Sequence, residues 1–343
     1  MAALLVLAGH YGSAAGIRST LLGFSFTGVD LFFALSGFVF APYLFGKRLQ
    51  LAAFGLRRLF RIYPLYLAAL ATYAGLRLLN GQPVHYLWQH VLLLHTWQTH
   101  EIAFFFNPAF WSLPPELEFY LALPLLARWV QGARQVAVLA ALALTLRLVL
   151  GALNPEPGQI NAAFVLGVHL PGLLVEFLCG TLAWHFARSS RGLPWRLTVF
   201  ACALIAWVAL AHLFAHLSQP TSAGARLLAH SLPMLAAAAS AALIAAIARP
   251  TQGVPTLVPI AAFATWSGRL SYGVYLFHNA APTSVQWIAG HPLPGSVLWP
   301  ASVATTLIAA FALHLALEAP MRRLGRRLAT GVGGRTAALP ASN

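Results

Sequence analysis

Long apolar stretches, separated by proline, glycine and short polar clusters, dominate this sequence. Each is long enough to cross the hydrocarbon core of a bilayer, which takes about 20 apolar residues in a helix. They lie near residues 24–46, 62–80, 110–130, 135–153, 161–187, 196–217, 226–248, 271–289 and 296–318. None has the alternating pattern of a membrane β-strand. Together with the apolar first segment, they predict an all-α fold, a polytopic membrane helix bundle of about ten transmembrane helices.

Charged residues make up only 8% of the 343 residues, yet the net charge is +14. A basic excess often indicates a nucleic-acid partner, but a soluble protein needs a charged surface that this composition cannot build. The basic residues cluster instead at every second predicted connection, as the positive-inside bias requires. The clusters are Lys47, Arg48, Arg57, Arg58 and Arg61; Arg128 and Arg134; Arg188, Arg191 and Arg196; Arg249 and Arg269; Arg322, Arg323, Arg326 and Arg327. We therefore expect a lipid bilayer as partner, no nucleic acid, and both termini in the cytoplasm.

The first apolar segment is irregular. Only 17 residues precede Arg18, and the segment lacks the basic start of a signal peptide. We therefore expect the natural protein to begin upstream of Met1, so that the first helix is truncated here. Two other stretches, residues 84–98 and 256–266, are too short or too broken to span and are interpreted as interfacial or re-entrant segments.

The expected domain organisation follows from these segments. Residues 1–328 form a membrane domain, and residues 329–343, rich in glycine, threonine, alanine and proline, form a disordered cytoplasmic tail. The connections at residues 154–157 and 218–225 carry no basic residue and are assigned to the opposite side of the membrane.

The sequence predicts no metal centre. Cys179 and Cys202 lie in apolar runs without a CxxC spacing, so neither a disulfide framework nor a zinc site is expected. His212 and His216 are four residues apart, but no third ligand is evident. Four further histidines recur every five residues, a spacing that turns about 140° per step around a helix and scatters them. They are His85, His90, His95 and His100.

Ionisable side chains inside the predicted spans are the strongest functional signal, because each costs about 2.5–3.5 kcal/mol at the centre of the bilayer. Five of the seven acidic residues, and two histidines, lie in or beside a span. They are Asp30, Glu116, Glu118, Glu176, Glu318, His10 and His278. From position alone, His10 is either a hydrogen-bonded packing group or a proton carrier. Asp30 either meets the positive end of its helix or belongs to a site.

Two polar stripes follow helical spacing. Glu116 comes after Ser112 and two prolines, which suits a helix start capped by Ser112. Glu116 and Tyr120 are also four residues apart and therefore share a face. The members of the second stripe are Ser271, Tyr275 and His278. Three aligned polar groups in an apolar helix favour a cavity lining over a position facing lipid.

The basic segment Arg57, Arg58 and Arg61 has two interpretations. It can serve only as a cytoplasmic anchor, as most such clusters do. Guanidinium groups also bind phosphate through forked hydrogen bonds. A phosphorylated ligand that approaches from the cytoplasm would find its counter-charge in these three side chains.

Six segments combine in one order along the chain. They are residues 8–11 (AGHY), 28–38 (GVDLFFALSGF), 57–66 (RRLFRIYPLY), 111–120 (WSLPPELEFY), 271–278 (SYGVYLFH) and 318–320 (EAP). This series resembles the acyltransferase family 3 of integral membrane proteins, which acylate sugars of cell-surface polysaccharides and related acceptors. The resemblance covers residues 1–320. The family normally has an arginine eleven residues before the first-helix histidine, a position that falls before Met1 in this chain.

The resemblance implies a cytoplasmic acyl-CoA donor, acetyl-CoA in the simplest case, and no permanently bound cofactor. It implies transfer to a hydroxyl of a polysaccharide or other glycan acceptor, in the inner membrane of a bacterium. His10 would be the catalytic base or acyl carrier, with Asp30 and Glu116 as catalytic partners. We expect Arg57, Arg58 and Arg61 to bind the CoA phosphates, and Tyr120, Ser271, Tyr275 and His278 to contact the substrate. A proton-coupled transporter or flippase that uses the buried acids and histidines is the alternative.

Overall fold

The computed structural model describes residues 2–153, 161–188, 192–217, 222–248 and 258–337, and all regular structure in these ranges is helical. The helices are α1 (Ala2–Ala14), α2 (Thr20–Gly23), α3 (Gly28–Leu44), α4 (Leu51–Leu79), α5 (Leu87–Val91), α6 (His100–Phe104), α7 (Leu113–Trp129), α8 (Ala133–Leu153), α9 (Ala162–Val168), α10 (Leu170–Ala187), α11 (Leu193–His216), α12 (Ala223–Ile247), α13 (Val258–Phe277), α14 (Ala281–Ala289), α15 (Gly295–Leu313) and α16 (Ala319–Ala337). Short 3₁₀ turns at Ser25–Thr27 and Pro108–Ser112 precede α3 and α7, and a π turn at His314–Glu318 joins α15 to α16.

Seven helical segments among the described residues are long and apolar enough to cross a membrane. They are Ser25–Leu44, Leu51–Leu79, Ala133–Leu153, Ala162–Ala187, Leu193–His216, Gly224–Ile247 and Gly295–Val332. Helix α1 is apolar but shorter, with 13 residues. The predicted class, an all-α membrane helix bundle, is confirmed, and the predicted number of about ten spans is an approximation.

The predicted span at residues 271–289 is wrong. Helix α13 ends at Phe277, and α14 begins at Ala281 with Pro282 in its first turn. A proline in the first turn of a helix has no N–H to leave unpaired, which favours a new helix start there. The helix in this region instead begins at Val258, within a stretch that the sequence indicated to be interfacial or re-entrant.

Two further expectations concern the connections and the tail. Helix α16 continues to Ala337, beyond residue 329, where the sequence predicts that a disordered tail begins. Residues 338–343 lie outside the described residues, as do 154–160 and 218–221 in the connections predicted to carry no basic residue. The stretch at 84–98 contains the short helix α5, too short to span a membrane.

The described helices divide into two compact units. Unit 1 comprises residues 1–47 and 112–264, which contain α1 to α3, α7 to α12 and the start of α13. Unit 2 comprises residues 48–111 and 265–343, which contain α4 to α6, the remainder of α13 and α14 to α16.

Unit 1 depends on a close crossing of α3 and α10. A Cβ at Gly37 would overlap the backbone of Phe177, and a Cβ at Gly180 would overlap the carbonyl of Ala34. Small residues of this kind let membrane helices bring their backbones together. The hydroxyl of Thr181 donates to Gly37 O at 3.2 Å and adds a polar contact at the crossing.

The C-terminal end of α13 is fixed in unit 2 by hydrogen bonds to one carbonyl. Tyr73 Oη and Asn107 Nδ2 donate to Leu276 O at 3.1 and 3.0 Å. Asn279 Nδ2 donates to Asn107 Oδ1 at 2.8 Å. These bonds provide a partner for a carbonyl in the last helical turn, which has no intrahelical donor, and they hold the turn that separates α13 from α14.

The imidazole of His90 is buried in unit 2. Tyr66 Oη donates to the His90 carbonyl at 2.7 Å, and the His90 ring stacks on His95 with a centroid distance of 4.3 Å. Helix α5 ends at Val91, so the five-residue spacing of these histidines is not helical, and the expectation that it scatters them is wrong for this pair. Burial lowers the pKa of His90 to about 4. No group of three or more possible metal ligands occurs in the described part of the chain.

Gly37→Ala is expected to lower the free energy of unfolding by about 1–3 kcal/mol, because its Cβ cannot fit against the Phe177 backbone. Gly75→Ala in α4 is the matched control, since nothing lies within 4 Å of a Cβ at that position and alanine favours a helix. Unfolding in mixed detergent micelles, followed by circular dichroism, measures both. Equal stability of the two variants would contradict the backbone contact.

Acidification is expected to destabilise unit 2 through His90. The folded state keeps this imidazole neutral with a pKa near 4, whereas the unfolded chain protonates it near 6.5. Stability is therefore lost as the pH falls from 6.5 to 4, by an amount on the order of 3 kcal/mol. His90→Gln should flatten this part of the pH profile of the free energy of unfolding. The exposed His216→Gln should leave it unchanged, and an unaltered slope in His90→Gln would disprove the assignment.

Candidate functional site

Glu116 is held in the first turn of α7 by hydroxyl groups. Ser36 Oγ of α3 donates to Glu116 Oε1 at 3.2 Å, and Tyr120 Oη, one turn further along α7, donates to the same oxygen. The shared face of Glu116 and Tyr120 that the spacing predicts is confirmed. The predicted cap is wrong, because Ser112 occupies the N-cap position but its side chain makes no capping hydrogen bond.

Asp30 forms a pair with a second buried acid. Asp30 lies in the first turn of α3 with 6% of its surface exposed, and Glu176 of α10 is fully buried. The two carboxyl groups lie close enough to act on each other electrostatically. No N–H or hydroxyl group of the described residues donates to either oxygen of Glu176. Two carboxylates held side by side repel each other when both are ionised, so a proton on one of them would stabilise this pair.

Arg147 of α8 supplies the positive charge beside this pair. Its guanidinium acts electrostatically on both Asp30 and Glu176. The same side chain, half-buried, donates from Nη1 to Gly167 O at 2.5 Å. Arg147 also lines a cavity of about 90 Å³ together with Gly167 and His230, which has room for a few water molecules.

The carbonyl that Arg147 binds belongs to a break between α9 and α10. Around the break, Glu118 of α7 accepts from His169 Nδ1 at 2.6 Å and from the backbone N–H of Leu170 at 2.8 Å. The carboxylate thus meets the positive N-terminal end of α10, and the guanidinium meets the negative C-terminal end of α9. Irregular backbone at membrane depth is tolerated where such protein groups provide partners. Arg147 therefore contacts the break between α9 and α10 and also interacts electrostatically with the acid pair.

His10 lies in unit 1 with the predicted catalytic acids. It is half-buried on α1, next to the buried Tyr11. Helix α1 packs on α3, where a Cβ at Gly28 would meet the carbonyl of Ala2. The imidazole is thus carried by a helix that lies against the helix of Asp30. Its pairing with one particular carboxyl group stays a prediction.

The predicted phosphate-binding arginines lie in unit 2. Arg57, Arg58 and Arg61 are half-buried in the first three turns of α4, and the Arg58 guanidinium lies 5.8 Å from the centroid of the Phe54 ring. Three guanidinium groups within five residues of one helix repel one another. A bound anion would relieve this repulsion, which is consistent with their predicted role.

The predicted polar stripe of α13 contacts the backbone of unit 2. Tyr275 Oη donates to Ala109 O at 2.8 Å, and His278 Nδ1, fully buried, lies 2.8 Å from Tyr275 O. Ser271 Oγ donates to Gly268 O at 2.9 Å within its own helix. These bonds give the stripe a structural explanation, and the predicted contact of these side chains and Tyr120 with substrate stays a prediction.

The comparison with known proteins agrees with the family resemblance that the sequence motifs indicate. These motifs lie in both units. The sequence model of the family described as acyltransferase domain, Acyl_transf_3, matches residues 1–316. The chain belongs to this family. It thus carries the acyltransferase domain of this family, and its apolar helices make it a multi-pass membrane protein.

One curated relative is the Bacillus subtilis (strain 168) protein named "Putative peptidoglycan O-acetyltransferase YrhL". It is 27% identical over 335 residues, an alignment that covers 88% of this chain and 51% of the relative. The chain thus spans about half the length of the curated relative that it matches. No solved structure matches this chain.

Sequence reasoning missed Arg147 and left two acids without a role. Arg147 is a charge in the middle of the apolar run 135–153, which is itself a functional signal. Glu118 and Glu176 stand out in the sequence as acids beside or within spans, but their partners are 51 and 146 residues away along the chain. Only the packing of the helices reveals these pairs.

Arg147→Leu is expected to lower the free energy of unfolding by about 3 kcal/mol, because it leaves Gly167 O and the acid pair without their cation. Arg134→Leu removes an exposed arginine from the same helix and should change stability by about 0.5 kcal/mol or less. Unfolding in detergent micelles compares the two. A loss of similar size in both variants would show that the contacts of Arg147 do not hold the break.

Proposed function

We propose that this acyltransferase moves an acyl group, acetyl in the simplest case, from cytoplasmic acyl-CoA to a hydroxyl of a glycan. The observation that carries the proposal is the position of His10, on a helix packed against α3 in a chain that matches an acyltransferase family over residues 1–316. The name of the YrhL relative makes peptidoglycan the first acceptor to test.

The chemistry requires a group that takes the proton of the acceptor hydroxyl. Histidine suits this role, because its neutral and charged forms are both accessible near neutral pH. The hydroxyl oxygen forms the new C–O bond as the C–S bond of the thioester breaks. The proton passes to His10 and then to the departing CoA thiolate. Alternatively the imidazole takes the acyl group first and passes it to the hydroxyl.

A carboxyl group next to the imidazole would orient it and stabilise its charged form. Asp30 and Glu116 are the candidates. Glu116 Oε1 already accepts from Ser36 and Tyr120, so Oε2 is the oxygen that would receive an imidazole N–H. Asp30 instead lies beside Glu176, and a proton on either acid would set the charge of the pair. Both carboxyl groups are held by other side chains before any substrate binds.

Arg57, Arg58 and Arg61 would hold the CoA phosphates. Guanidinium groups bind phosphate bidentately and keep their charge at every physiological pH. The positive-inside bias assigns this end of α4 to the cytoplasm, the compartment of the donor. The protein of this proposal works in the inner membrane of a bacterium, with both termini in the cytoplasm and no permanently bound cofactor.

A second candidate function is proton-coupled transport or lipid flipping. The observation that favours it is the buried Asp30–Glu176 pair, because neighbouring acids also serve proton relays in membranes. This function would proceed without acyl-CoA and would not require His10. The same experiment therefore distinguishes the two.

Transfer of labelled acetyl from acetyl-CoA to peptidoglycan fragments by the full-length protein in nanodiscs tests the proposal. His10→Ala is expected to lower kcat by about 10²–10⁴-fold, the usual contribution of a general base. His216→Ala removes an exposed histidine from α11 and should retain full activity. A melting curve confirms that both variants are folded. Full transfer by His10→Ala would refute the catalytic assignment, and transport without acetyl transfer would favour the second candidate.

A further inference from the structure

A buried carboxylate positions Arg322 at the start of α16. Glu318, in the π turn, has 3% of its side chain exposed. It accepts from His314 Nδ1 at 2.8 Å and from Arg322 Nη1 at 3.3 Å. The three residues follow each other at four-residue intervals, so their side chains stack along the helix. The guanidinium is thereby held in one orientation while 29% of the side chain stays exposed.

Two further positive charges lie near Arg322. Arg61 of α4 and Arg326, one turn further along α16, both lie close enough to act on it electrostatically. The two helices approach closely, since a Cβ at Gly325 would press on Phe60 of α4. Neighbouring guanidinium groups repel each other unless an opposite charge lies close to them. The acid that acts on Arg322 among the described residues is Glu318, which it shares with His314.

We propose that Arg322 and Arg326 of α16 complete a phosphate-binding site with Arg61 of α4. The ligand class is a phosphate ester, and the occupant is the nucleotide part of the acyl donor, so this inference rests on the proposed function for the identity of the donor. A phosphate group between the two helices would accept forked hydrogen bonds from both and would neutralise their mutual repulsion. The residues bind the donor and take no part in the chemistry.

An anionic lipid headgroup offers the same phosphate chemistry. The structure favours the donor, because Arg322 is held within unit 2 by Glu318, whereas a headgroup meets the exposed arginines of α16 equally well. Arg323 is one of these exposed residues and is the direct neighbour of Arg322. It lies about 100° around the helix from Arg322 and therefore provides a control of equal charge on another face.

The first test measures binding of adenosine 3′,5′-bisphosphate to the protein in phosphatidylcholine nanodiscs by isothermal titration calorimetry. Arg322→Gln and Arg326→Gln should each raise Kd about tenfold, the loss of one charge-assisted contact. Arg323→Gln should leave Kd unchanged. Arg326→Gln carries little risk of misfolding because Arg326 is exposed, and Arg322→Lys should recover part of the affinity. Equal Kd values for Arg322→Gln, Arg326→Gln, Arg323→Gln and wild type would overturn the proposal.

The second test distinguishes a nucleotide ligand from a lipid headgroup. It also distinguishes failure of this inference from failure of the proposed function. If phosphatidylglycerol nanodiscs show a loss of bound lipid in Arg322→Gln while nucleotide binding is unchanged, the site belongs to lipid and the inference fails. If wild type transfers acetyl from acetyl-CoA and Arg322→Gln keeps the wild-type KM, the inference fails and the proposed function stands. If wild type binds the nucleotide through Arg322 but transfers no acetyl group, the site stands and the proposed function fails.

Discussion

The close approach of α3 and α10 is the contact on which the candidate site in unit 1 depends. Lipid is as apolar as the helices, so the hydrophobic effect does not drive their association, and shape and polar contacts must do so. Gly37 and Gly180 provide the shape, since each leaves no room for a Cβ beside the other helix. The same approach brings Asp30 and Glu176 into contact. A substitution at either glycine would therefore disturb the acids as well as the packing.

The broken helix α9–α10 follows the same constraint. Backbone groups that leave a helix at membrane depth must find partners within the protein. Arg147 binds the carbonyl on one side of the break, and Glu118 binds the N–H on the other. Since Arg147 also acts on the acid pair, a single side chain serves both the backbone and the site. The charge of Arg147 therefore stabilises the fold of unit 1 and also acts on the acids for which we propose a chemical role.

The sequence predicts the class of fold well, because the length and apolarity of a span are local properties of the chain. The prediction of a single span at residues 271–289 is wrong because the residues on both sides of the turn are equally apolar. The end of α13 is held by a hydrogen bond from Asn107, which is distant in sequence. At the site, four-residue spacing predicts the contact of Glu116 with Tyr120. The pairing of Asp30 with Glu176 depends on tertiary packing, which the spacing of residues along the sequence does not predict.

The π turn between α15 and α16 has a consequence for evolution of the protein. A π turn contains one residue more than an α-helical turn, so it rotates the following helix by about 100° relative to the preceding one. The segment Gly295–Val332 thus turns toward α4 the face of α16 that carries Arg322 and Gly325. Loss of a single residue in this turn would restore a straight register and rotate Arg322 away from Arg61. Insertions and deletions should therefore be far rarer here than in the neighbouring connections.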